Sequence, residues 1–128
     1  MQGIQGRNSK PRRSQDAPGW AEAIQALRAE YLRNSSAKLD AIAGLIERLE
    51  GRPSGEALGD LRTRFHGLSG SGLTYGFPAV SVLGGRGEDA CQAALKADGT
   101  PSARDFAEWR IVLDALHREL DRRTLSVH

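Results

Sequence analysis

A chain of 128 residues with 39% hydrophobic content but only 5% aromatic side chains can fill one modest core, better suited to close-packed helices than to a β-sandwich. Its formal charge of +2 hides an asymmetry: Arg7, Lys10, Arg12 and Arg13 against Asp16 give residues 1 to 18 a charge of +3, so the remainder carries −1. No apolar run approaches the ~18 residues that cross a bilayer, no secretory block opens the chain, and a single cysteine, Cys91, excludes a disulfide framework; a cytoplasmic protein without a membrane partner is expected.

Residues 1 to 18 are rich in Gly, Gln, Ser, Arg and Pro and offer almost nothing to bury, which predicts a disordered basic tail. Contact of this tail with nucleic acid rests on residues 7 to 13 alone, so no nucleic-acid partner is expected. Trp20, Ile24, Leu27 and Tyr31 recur at helical spacing and predict a short amphipathic helix over 20–33. Asn34-Ser35-Ser36 reads as an interruption, with a serine capping a second helix that runs to Glu50. Leu39, Ile42, Leu45, Ile46 and Leu49 form its inner face, and Gly51 with Pro53 ends it.

A third helix is predicted from Ser54-Gly55-Glu56 to about Tyr75, and Pro78 suits the first position of a fourth. Val80, Leu83, Gly87, Ala90, Cys91, Ala94 and Leu95 give that fourth helix a narrow seam. Gly84, Gly85 and Gly87 imply either very close packing or a break, and Asp98-Gly99 closes the helix. Ser102 with Asp105 three residues on resembles a capping box opening a fifth helix, with Phe106, Trp109, Val112, Leu113, Leu116 and Leu120 inside. The expected fold is all-α: an up-down four-helix bundle over 19–124 with a short additional N-terminal helix, and a frayed end over 125–128.

The stretch from Arg62 to Phe77 carries the most information. At about 100° per residue, Leu58, Leu61, Phe65 and Leu68 form one apolar seam, and His66 lies roughly 120° from its centre, at the boundary or in water. Gly59, Thr63, Gly67 and Gly70 share the histidine's side. Each glycine in a helix interior costs about 1 kcal/mol relative to Ala, so Gly67, Gly70 and Gly72 so close together imply either a need for close backbone approach or the end of the helix. Gly70, one turn beyond His66, leaves Nε2 open to a partner.

The run His66-Gly67-Leu68-Ser69-Gly70-Ser71-Gly72, then Gly76-Phe77-Pro78 and Val80-Ser81, resembles the signature of histidine-containing phosphotransfer (HPt) domains, the carriers of His-to-Asp phosphorelays. The match departs at Ser69, where the family usually has Lys, and at Gly87, where a Leu often precedes the acidic residue corresponding to Glu88. The resemblance implies a monomeric phosphoryl carrier rather than an enzyme, with His66 accepting the group from, or returning it to, receiver-domain aspartates. Its partners would be a response-regulator receiver domain or a hybrid histidine kinase; it would bind no cofactor itself, Mg2+ belonging to the receiver.

On that reading Arg62 flanks His66 and steers or holds a phosphoryl oxygen, and Ser69 keeps a hydrogen bond but lacks the family's charge. Thr63, Gly67, Gly70 and Leu73 join them as partner-contacting positions, and Leu68 with Leu73 forms an apolar rim. Arg64 points about 160° away from His66 on the same helical wheel. The alternative is an interaction module that docks on a receiver or kinase as inhibitor or scaffold without carrying phosphate. His117 reads as a core-edge residue and His128 as a bystander at the terminus, while Glu47, Glu50, Glu88 and Asp89 read as solvated charges. Gly70 to Gly76 lacks the Gly-Lys-Ser/Thr ending of a phosphate-binding loop.

Overall fold

In a computed structural model that describes residues 18 to 127, the described residues form four helices: α1 Pro18–Gly51, α2 Gly55–Thr74, α3 Pro78–Lys96 and α4 Ala103–Val127. The expected tail falls outside the described residues but for Pro18, which opens α1; His128 also falls outside them. Each helix packs beside its neighbours in sequence, and α1 also packs on α4, which closes the ring.

Cross-helix pairs give the directions. Arg28 on α1 reaches the carbonyls of Tyr75 and Gly76 just past α2, each at 3.1 Å, while Tyr31 meets Ser71 further down. Gly72 faces Val80, Gly84 faces Ser69, and Gly87 faces Phe65, so α3 runs back along α2. Arg86 with Glu108, and Glu50 with Arg110, complete the up-down order. The core between the helices holds Leu39, Ile42, Leu58, Phe65, Trp109 and Leu116, all among its most deeply buried side chains.

The expected break at Asn34-Ser35-Ser36 is absent, so the predicted helices over 20–33 and to Glu50 are one 34-residue helix. Ser35 does not cap; it is buried, and its hydroxyl donates to the Tyr31 carbonyl at 2.7 Å, a bond that satisfies a serine without interrupting the helix. At 1.5 Å per residue α1 is about 51 Å long against about 30 Å for α2. Ile24 and Leu27 line a cleft beside the α2–α3 turn at Thr74, Tyr75 and Gly76 and, with Trp20, stay exposed although their spacing matches the core-facing stripe.

The other helix ends follow the sequence closely. Ser54 accepts from the Ala57 amide at 3.2 Å, Pro78 occupies the first turn of α3, and Asp98 and Gly99 both take positive φ where α3 ends. Ser102 and Asp105 form a reciprocal capping box, each side chain accepting from the other's amide at 3.1 and 2.8 Å. Helix α4 runs to Val127, with Arg122 and Arg123 bracing Glu119 and the Thr124 hydroxyl donating to the Leu120 carbonyl; of the end expected to fray, His128 lies outside the described residues.

The glycines of α3 bring it against α2 without a break. A Cβ on Gly84 would stand 2.7 Å from the Ser69 amide nitrogen and 2.8 Å from the Phe65 carbonyl oxygen. One on Gly87 would fall 2.5 Å from the Phe65 ring, and one on Gly72 would fall 2.8 Å from the Ser81 nitrogen. Backbone thus rests on backbone along this seam, and it is the seam from which the histidine rises.

Candidate functional site

His66 stands on the middle of α2, one residue past the buried Phe65, with its side chain 71% exposed. The ring is nevertheless held. Its Nδ1 lies 3.1 and 3.0 Å from the two carboxylate oxygens of Glu88 on α3. Glu88 is itself only 16% exposed, and Arg62, one turn before the histidine, places Nη1 3.7 Å from the same Oε2 that the imidazole uses. Close packing at Gly84 and Gly87 makes this possible: with larger residues on the seam, α3 would stand too far away for a glutamate to reach the ring.

An ionised carboxylate can only accept hydrogen bonds, so the proton of a neutral imidazole sits on Nδ1 and donates to Glu88. Nε2 then carries the lone pair. Among the described residues no hydrogen bond engages it, and it faces solvent beside a stretch with little side-chain bulk. A Cβ on Gly59, Gly67 or Gly70 would meet no atom within 4 Å. Unlike Gly72, Gly84 and Gly87, these three glycines serve no internal packing. A methyl group on Gly70 would not touch the ring, so the open space there serves whatever approaches it.

The remaining expected site residues divide. Thr63 is exposed, and its hydroxyl donates to the Gly59 carbonyl at 3.0 Å. Ser69 is half-buried against α3, its hydroxyl oxygen 3.9 Å from where a Cβ on Gly85 would stand. Leu73 is 68% exposed on the histidine's face, whereas Leu68 is core, so the expected apolar rim keeps Leu73 and loses Leu68. Arg64 pairs with Asp60 on the other flank. His117 is exposed and lines a cleft of about 200 Å³ between α1 and α4, beside the buried Leu32, Leu39 and Leu120.

Glu88 is the residue that reading the sequence as solvated charge missed. It sits next to Gly87, a seam position, so its phase brings it to the edge of the α2–α3 contact. Pairing it with His66 required the register between two antiparallel helices, which the facing glycines set. Glu50, read the same way, is paired with Arg110.

Other reactive groups are sequestered. Burial pushes the Cys91 thiol up to about 12, against a hydrogen bond with Trp109 that favours ionisation, so it stays protonated and inert. Burial likewise raises Tyr31, whose hydroxyl is engaged by Ser71. Among the described residues no cluster of three or more His, Cys, Asp or Glu side chains is arranged to hold a metal ion, and no helix is long and apolar enough to cross a membrane. Comparison with protein-family models, curated proteins and solved structures yields no match.

Proposed function

We propose that this protein is a phosphorelay carrier that accepts and donates a phosphoryl group on His66 Nε2, exchanging it with receiver-domain aspartates. One observation carries the reading: an exposed imidazole anchored through Nδ1 by Glu88, its Nε2 engaged by no hydrogen bond among the described residues, on a helix where Gly59, Gly67 and Gly70 leave open space. A nucleophilic nitrogen needs orientation, a fixed tautomer and access, and all three are met.

The chemistry follows from that tautomer. The Nε2 lone pair attacks the phosphorus of an aspartyl phosphate, the N–P bond forms as the P–O bond breaks, and the carboxylate leaves with the electron pair. No proton has to move. The ring becomes cationic with its proton still on Nδ1, and Glu88 at 3.0 Å opposes that charge. In the return direction neutral imidazole is the leaving group. The receiver supplies the metal and the acidic pocket, so the carrier needs neither an ATP site nor a cofactor of its own. A cytoplasmic monomer is the setting in which we place it.

Ser69 favours one competing reading, an interaction module that docks on the same partners without taking phosphate. It lacks the charge of the Lys that the HPt resemblance expects there, and it faces the α2–α3 seam. The two separate when a ³²P-labelled phospho-receiver and Mg2+ are mixed with the protein. Acid-labile, alkali-stable label on the wild type, absent from His66→Gln, supports the carrier. Receiver binding that persists in His66→Gln, with no label on the wild type, supports the module.

A further inference from the structure

Resting on the carrier reading, we propose that Arg62 is the cation that contacts the phosphoryl group on His66, and that it leaves Glu88 to do so. The positive charge usual in the resemblance is missing at Ser69, so a phosphoryl group on Nε2 would need another cation. Among the described residues other cations are less well placed: Arg64 points about 160° away from His66 and pairs with Asp60, Lys38 lies over the Tyr31 ring, and Arg86 is forked onto Glu108. Arg62 is one helical turn from His66 and about half in solvent, and it meets Glu88 Oε2 at 3.7 Å with no hydrogen bond. With the arginine side chain 41% exposed and no hydrogen bond to hold it, this is a loose pairing on the arginine's side.

Phosphorylation reverses the balance at Glu88. In the neutral tautomer that reacts, Glu88 faces an uncharged ring and the Arg62 guanidinium. Afterwards the ring carries a positive charge 3.0 Å from the same carboxylate, so Glu88 keeps a full counter-charge when Arg62 departs. The phosphoryl group presents up to two negative charges and accepts forked hydrogen bonds near 2.8 Å, so by Coulomb's law the attraction is roughly two to three times that of one carboxylate at 3.7 Å. One guanidinium therefore has two stations, chosen by the state of the ring. The phosphorylated face would differ from the free face in charge arrangement as well as in phosphate, which gives a partner a way to tell them apart.

Phosphoramidate, which transfers its phosphoryl group to histidine with loss of ammonia, tests this without a cognate receiver. Arg62→Gln should load more slowly and lose the group faster than wild type, each by about tenfold, as expected for one charged hydrogen bond. Arg62→Lys should recover most of the difference, and so should Ser69→Lys placed in the Arg62→Gln protein, while the unfolding midpoint stays unchanged. Loading and lifetime equal to wild type in Arg62→Gln overturn the proposal. So does a defect that neither lysine repairs, because Arg62 would then act through packing and not as a cation. If wild type itself takes no phosphoryl on His66, the carrier reading fails and the Arg62 proposal fails with it.

Discussion

Gly67 and Gly70 weaken α2 and make no contact that a methyl group would break. Gly70→Ala should therefore stabilise the protein by about 0.5–1 kcal/mol in urea denaturation. Gly70→Leu should keep the fold and still accept phosphate from phosphoramidate, yet fail to accept it from a phospho-receiver, whose bulk needs the open surface. Normal receiver transfer by Gly70→Leu would contradict that use of the glycines. This part of the site was legible, because the phase of His66 against Leu58, Leu61, Phe65 and Leu68 follows from helical geometry alone. Glu88 was not legible, since its partner lies 22 residues away and only the register between two helices joins them.

At the scale of helices, the same residue type plays two opposite parts. Gly84 lies against backbone atoms of Ser69 and Phe65, so a methyl group there must push α3 away from α2. Gly84→Ala should cost about 1–3 kcal/mol in the same denaturation experiment, as overpacking does, and should also slow loading by drawing Glu88 off the imidazole. A stable Gly84→Ala protein with normal loading would show that the seam does not set the His66–Glu88 distance. The sequence left close packing and a break as equal options for this helix, because isolated propensity cannot choose between them; the facing surface of α2 decides. At Asn34-Ser35-Ser36 local propensity misled for the converse reason. A buried Ser35 bonds to its own helix and α1 runs through, as the packing of the later turns of α1 against α2 and α4 requires.

The bundle as a whole closes through α4 and α1, and the end of α4 contributes a pH-dependent brace. Burial opposes ionisation of Glu119, but hydrogen bonds from Arg123 and Arg122 outweigh it and hold the carboxyl below its ordinary value. A lowered folded-state pKa stabilises the native protein above the ordinary value, and that contribution fades as the pH falls through the folded value. Wild type should accordingly lose more stability than Glu119→Gln as the pH falls from the ordinary carboxylate range through the lowered folded value; parallel loss in both proteins would remove the brace. The site itself rests on one nitrogen. Heteronuclear ³¹P–¹⁵N NMR of the protein loaded with phosphoramidate tests that most directly. A single phosphorus coupled to Nε2 of His66, with Nδ1 still protonated, is the expected spectrum. Phosphorus on Nδ1, on His117 or on no histidine would contradict it.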